Sequence, residues 1–243
     1  MDAVQVVILL ALGWVASSVP GWWAEARSLA PRPADLERAR AGMVEHQLRS
    51  RGIRDERVLQ AMGTIARHEF VPEAYRARAY DDSALPIGSG QTISQPYIVA
   101  LMTELIDPQP GQRVLEVGTG SGYQAAVLAP LVREVYTIEI LAELARTAGQ
   151  RLARLGYGNV HIREGDGYRG WPEHAPFDAI VVTAGATEIP GPLVEQLRPG
   201  GRMVIPVERG PDAQTLRLIE KHPDGTVKVR DVAAVRFVPL RRP

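Results

Sequence analysis

The stretch VLEVGTGSGY, residues 114–123, decides the fold. An apolar run containing Val114, Leu115 and Val117 breaks into Gly118, Gly120 and Gly122, the pattern of a buried strand that ends in a tight turn. Without a Cβ, these glycines can take positive φ and let a ligand approach the backbone. The helix that should begin near Tyr123 would present unpaired N–H groups above the strand end. The dinucleotide fingerprint G-x-G-x-x-G would place its third glycine at 123, where Tyr123 stands, so the spacing is G-x-G-x-G and that fingerprint is not met.

Outward from this turn, apolar runs alternate with helical patterns. Strands are expected at 114–117, 135–138, 160–163, 179–183 and 202–206, with a helix over 141–155. Nearly continuous apolar strands separated by helices imply a mostly parallel sheet covered by helices on both faces, whose ligands bind beyond the carboxyl ends of the strands. The segments 215–220, 227–230 and 232–240, with the turn Pro223-Asp224-Gly225, predict an antiparallel hairpin that finishes the sheet. Upstream, helices are predicted over 34–51, ending at Gly52, over 55–66 and over 97–106, with a polar, turn-rich stretch at 80–96. His46 and His68 fall in the first part of this region and read as surface or packing residues.

Composition narrows the function. The 243 residues suit one domain with a full core. Lys+Arg and Asp+Glu both number 28, so no net field attracts nucleic acid, and none is expected as a partner. The absence of cysteine removes disulfides, zinc–thiolate sites and thiol nucleophiles together, and no metal site is expected. Residues 1–30 differ from the rest: no charged side chain lies between Asp2 and Glu25, and the apolar run gives way to Ser17, Ser18, Pro20 and Gly21. This extension reads as a signal peptide, a short anchor or a start assigned too far upstream, leaving 31–243 as the catalytic domain. Membrane contact is expected only if the segment is retained as an anchor.

Three strand ends carry the chemistry. Glu139 closes VYTIE about 20 residues beyond the glycine turn, where a carboxylate can accept two hydrogen bonds from a vicinal ribose diol. Asp166 lies in the GDG of 165–167, where it can accept from an adenine amino group while Gly167 lets the backbone bend around the ring; a plain turn is the competing reading. In PFDAIVVTAGA, 176–186, Asp178 enters a buried strand and small residues line its exit.

The G-x-G-x-G turn resembles that of class I S-adenosylmethionine-dependent methyltransferases. The block IGSGQTISQPYIVA, 87–100, narrows the likeness. With VLEVGTGSGYQAA, GDGYRGW, APFDAIVVTA, LRPGGRMVIPV and VRFVPL in order, it resembles the protein-L-isoaspartate (D-aspartate) O-methyltransferases over roughly 40–240. The resemblance implies a Rossmann-like enzyme that moves a methyl group from S-adenosyl-L-methionine to the α-carboxyl of L-isoaspartyl residues in damaged proteins and peptides. It carries an active-site role onto Ser94, places Thr92 and Ile93 in the same pocket, and makes Gln214 a residue that closes over the cofactor. It also implies the cytoplasm, with a periplasmic or membrane-anchored location through residues 1–25 as the alternative. An isoaspartyl α-carboxylate, with a pKa of roughly 3.5, is already ionised at neutral pH, so the reaction needs positioning rather than a general base. Two other readings are a methyltransferase acting on a small molecule or RNA, and a binding module without turnover. The 87–100 block and the balanced charge count against the former.

Overall fold

The computed structural model describes residues 31–210 and 213–242; the apolar extension 1–30 lies outside them. The described chain opens with α1 (Pro33–Gly42), prolonged by a wider turn over Met43–Leu48 and a 3-10 turn over Arg49–Arg51 until Gly52 takes φ 99° and stops it. Helix α2 (Glu56–Thr64) starts where Asp55 accepts a hydrogen bond from the Arg57 amide, and it buries Val58, Leu59, Ala61 and Met62. The turn-rich stretch that follows is not simply loop. It holds two short antiparallel strands, β1 (Leu85–Gly88) and β2 (Gln91–Ile93), and leads into α3 (Pro96–Leu105).

Strands and helices then alternate as the apolar runs predict: β3 (Arg113–Val117), α4 (Tyr123–Leu128), β4 (Glu134–Glu139), α5 (Ala142–Arg154), β5 (Val160–Glu164), β6 (Phe177–Val182) and α6 (Gly191–Gln196). The chain finishes with β7 (Leu197–Gly210), β8 (Ala213–Lys221) and β9 (Val227–Val235). Among the described residues these form a seven-stranded sheet in the order β5-β4-β3-β6-β7-β8-β9. Its first five members are parallel, and β7, β8 and β9 pair antiparallel, so the expected closing hairpin is present. The segment read as a further strand over 232–240 is strand only to Val235; beyond it the chain leaves the sheet and touches it again through a Gly185–Pro239 bridge.

This order explains where the helices lie. From β3 the chain steps outward through α4 to β4 and through α5 to β5, then returns to the other side of β3 as β6 and steps the opposite way through α6 to β7. Right-handed crossovers therefore put α4 and α5 on one face and α6 on the other. The reversal between β3 and β6 leaves a crevice at their carboxyl ends.

Alternating residues of each strand feed two cores. Val114, Val135, Ala179, Val181 and Val204 pack beneath α2, α3, α4 and α5, while Leu115, Val117, Ile138, Ile180, Val182 and Met203 pack with Leu193 and Leu197 on the other face. Asp178, at the opposite end of the sheet from the crevice, accepts from the Arg113 amide at 2.6 Å and pairs with Arg198, which stitches β3, β6 and the start of β7 together. Among the described residues no helix is long and apolar enough to cross a membrane. Leu115 is fully buried in the interior strand β3, and Leu115→Ala is expected to cost about 2–5 kcal/mol of stability by urea unfolding. A cost below about 1 kcal/mol would mean that this layer is not the tightly packed one described.

Candidate active site

The glycine turn is built by close approach. Gly118 has φ 101°, and a Cβ there would come within 2.5 Å of Thr183 Oγ1. That hydroxyl instead donates to the Gly118 carbonyl at 2.6 Å, joining the end of β3 to the end of β6. Gly167 is equally constrained, since a Cβ would stand 2.4 Å from Val117 Cγ1. A Cβ on Gly120 would meet Ile87 Cδ1 at 3.4 Å, so the β1–β2 hairpin leans directly on the turn. Gly122 caps α4, as the pattern implies, and Arg151 from α5 donates to the Ser121 carbonyl at 2.7 Å.

The amide groups of this turn differ from the sequence expectation. Gly118 and Thr119 donate to the Ile138 carbonyl, Gly122 to the Thr119 carbonyl, Gly120 to Glu139 Oε2 and Tyr123 to Ser121 Oγ. The turn therefore supplies shape more than free donors, because a bend this tight satisfies its own backbone. Glu139, buried at the end of β4, accepts from Gly120 N at 2.8 Å and from Leu141 N at 3.0 Å, one bond on each oxygen. A second lone pair on each remains for another donor.

One cleft brings most of the predicted residues together; Gly122 is not among them, since it is buried against Leu152 of α5. Thr92, Ile93 and Ser94 line it with Gly118, Gly120, Glu139, Gly167 and Thr183. A second, adjoining hollow shares Thr92, Ser94 and Thr183 and opens along Asp82, Gln95 and Arg236. The Ser94 hydroxyl makes no hydrogen bond among the described residues, and it does not cap α3: Gln95 holds the cap position without a side-chain bond. Asp166 lies beside the cleft, where its Oδ1 accepts from the Tyr168 amide at 2.9 Å in a turn and its Oδ2 is left over. Gln214 is not a lining residue. Its amide grips both the N–H and the C=O of Phe237, at 2.7 and 3.1 Å, directly over Gly185, and so holds the returning tail whose Val238, Leu240 and Arg241 do line the cleft.

Several lining groups escaped the sequence reading. Thr183 follows an apolar run and looks like one small residue among several. The tail 238–241 carries no motif of its own beyond VRFVPL. Glu116 hides inside VLEV: it is fully buried on β3 and lines the cleft, and neither carboxyl oxygen has a hydrogen-bond partner. Burial pushes its pKa up to about 8; the nearby Thr137 hydroxyl works against the rise and the Glu139 carboxylate adds to it. Among the described residues no group of three or more His, Cys, Asp or Glu could hold a metal ion.

A model of the protein-L-isoaspartate(D-aspartate) O-methyltransferases matches residues 39–242. The chain belongs to this family. Methyltransferase relatives bearing the isoaspartate name include one from Polaromonas sp., 62% identical over 186 residues that cover 76% of this chain and 88% of that one. Another, from Cupriavidus necator, is 57% identical over 215 residues covering 88% and 83%. Among solved structures, a protein-L-isoaspartate O-methyltransferase superposes with a TM-score of 0.76 at 32% identity, over 82% of this chain and 65% of that one. A beta-aspartate methyltransferase from Plasmodium falciparum, in complex with S-adenosyl-L-homocysteine, superposes with a TM-score of 0.71 at 29% identity, over 83% and 98%. The Rossmann-like methyltransferase fold and the S-adenosylmethionine chemistry expected from the sequence are those of the family.

The raised carboxyl of Glu116 has a signature in stability. An unfolded glutamate loses its proton near pH 4.3, whereas the folded chain keeps it to about 8, so the folded state binds the extra proton between those values. The contribution of this carboxyl to stability is therefore full below about pH 4.3 and is lost as pH rises toward about 8. The melting temperature is expected to drop across that window in the native chain and to flatten in Glu116→Gln. Parallel curves for the two proteins would show that this carboxyl does not carry the effect.

Proposed function

We propose a division of labour in this isoaspartyl methyltransferase. Gly118 and Gly120 form the surface against which S-adenosylmethionine packs, with Gly122 turning the chain into α4 behind it, Glu139 receives the ribose hydroxyls on its remaining lone pairs, and Asp166 Oδ2 with Gly167 receives the adenine. Ser94 orients the isoaspartyl α-carboxylate, with Thr92 and Ile93 lining its approach. Gln214 acts through the tail it holds over the cleft. The observation that carries this reading is the single cleft shared by Ser94, Gly118 and Glu139.

The residues fit the group they are assigned. Gly118, Gly120 and Gly167 line the cleft, a buried carboxylate offers acceptors suited to a diol, and the cleft wall contains further unpartnered acceptors suited to a cation. When bound, S-adenosylmethionine supplies a methyl group activated by its sulfonium. The protein's part is to hold the carboxylate oxygen in line and to exclude water from it. Ser94 suits that task because a neutral hydroxyl can donate to the carboxylate without forming an ion pair that would blunt its nucleophilicity. No side chain needs to remove a proton, since the acceptor is ionised already.

Residues 31–243 are the catalytic unit in this reading, and isoaspartyl proteins and peptides are its partners, without nucleic acid. The cytoplasm is its compartment; a mature chain beginning near residue 18 and recovered outside the cytoplasm would place it there instead. With labelled S-adenosylmethionine, an isoaspartyl peptide is expected to be methylated and its normal aspartyl counterpart not. Ser94→Ala should lower kcat by about 10- to 100-fold, the value of a hydrogen bond to a charged group, with little change in cofactor affinity. Equal labelling of the two peptides, or full activity without the hydroxyl, would overturn the assignment. Glu139→Gln keeps an acceptor for only one of the two amides and loses the charge, and is expected to weaken cofactor binding about ten-fold or more, with a stability cost of about 1–3 kcal/mol from the amide left unpaired. Unchanged cofactor affinity in a calorimetric titration would remove Glu139 from the site.

A further inference from the structure

The hollow that adjoins the cleft has no part in the methyl transfer described above. Its volume of about 540 Å³ falls within the roughly 300–1,000 Å³ typical of ligand sites, and it shares Thr92, Ser94 and Thr183 with the cleft. An isoaspartyl residue is a branch point: the peptide chain continues through its β-carbonyl, and the α-carboxylate hangs free as a side group. When that carboxylate enters the cleft beside Ser94, the residues on either side of it stay outside. The hollow is the space that Ser94 opens onto there.

Two charged residues line the hollow, Asp82 and Arg236, and their situations differ. The Asp82 carboxylate receives Arg51 Nη1 at 2.8 Å, and Arg51 is held in turn with its guanidinium 3.7 Å from the centre of the Tyr97 ring on α3. Its charge is thus offset. Arg236 is exposed and, among the described residues, makes no ion pair and no side-chain hydrogen bond. Its backbone, however, is fixed: Gln214 grips the next residue, Phe237, at 2.7 and 3.1 Å, and Gly185 N donates to the Val238 carbonyl at 2.8 Å. Arg241, exposed on the same tail, lines the cleft itself. The hollow therefore presents a net positive charge on an anchored segment, beside the apolar wall of Ile98, Val235 and Phe237 and the unpartnered Ser83 hydroxyl.

Resting on the isoaspartyl reading above, we propose that this hollow receives the residues flanking the damaged site and that Arg236 makes the enzyme prefer acidic side chains there. A flanking glutamate or aspartate pairs with the free guanidinium. A flanking lysine meets a like charge, and the one acid within reach, Asp82, is already occupied by Arg51. Such a pair forms away from the reacting atoms, so it binds the ground state and the transition state equally and acts on KM rather than on kcat. An ion pair this open to solvent is worth about two- to five-fold in affinity. Arg236 is in this sense a specificity residue for the charge of the peptide, with a role separate from that given to Ser94.

Three isoaspartyl peptides with blocked termini, identical except for Glu, Gln or Lys on both sides of the damaged residue, test this by their methylation kinetics at saturating S-adenosylmethionine. With the native protein, KM is expected to rise about two- to five-fold from the Glu to the Gln peptide and again from Gln to Lys, with kcat alike for all three. Salt at about 0.5 M should compress the series, because screening weakens an exposed pair. Arg236→Gln should bring the three KM values together, and Arg236→Glu should reverse their order. Arg146→Glu makes the same change in net charge from an exposed position on α5 that lines neither space, and should keep the native order. Equal KM values with the native protein, or an order that survives in Arg236→Glu, would overturn the proposal. Failure to methylate any of the three peptides would instead strike out the isoaspartyl reading, and this inference with it.

Discussion

Thr183 Oγ1 lies so close to the end of β3 that no side chain fits at Gly118, and its hydrogen bond to the Gly118 carbonyl ties together the two strands between which the sheet order reverses. The cleft follows from that contact. Because β3 and β6 are adjacent but lead their crossovers in opposite directions, nothing covers the gap beyond their ends except the turn itself and what leans on it. Ile87 rests on the turn from the β1–β2 hairpin, and the tail through Leu240 closes the other side by bonding to Gly185. The pocket that joins the Ser94 loop to the glycine turn is therefore a product of close backbone packing.

The electrostatics of the cleft match a reaction between opposite charges. A cationic donor and an anionic acceptor must meet, yet neither should be held so tightly that the product cannot leave. The wall offers a carboxylate whose oxygens are partly used by backbone, a second carboxyl kept neutral by burial, and a serine that is free to turn. Leaving two glutamate oxygens and a glutamine oxygen unpartnered opposes folding, since buried acceptors lose their water. The two packed cores beneath the sheet offset that cost, so the site can be arranged for binding rather than for stability.

Much of this was legible beforehand for a physical reason. A buried parallel strand must be apolar along its whole length, so β3, β4, β6 and the centre of β7 stand out, and the residue that ends each strand points toward the crevice. Glu139 was found that way. The misses have equally physical causes. Strands β1 and β2 have only 4 and 3 residues among Gly and Ser, too short for a period to emerge. Glu116 lies within an apolar run, and a single acid in such a run could be read as an interruption of the strand rather than as a lining group. Asp166 stands out by its place between two glycines and Gln214 only through the family resemblance, and nothing in the sequence signals that one spends an oxygen on the Tyr168 amide or that the other grips Phe237.

By itself the sequence determined which segments become buried strands, that glycine must end the first of them, and which family of reactions the ordered motifs belong to, because these depend on local period, on backbone freedom and on the residue types present. Only the tertiary structure decided which distant groups share the cleft: the Thr183 hydroxyl against Gly118, the returning tail, and the unpartnered Glu116 and Gln124. Those depend on strand order and crossover hand, which bring together residues far apart in the chain, and on the loss of water at each buried atom, which no local pattern records.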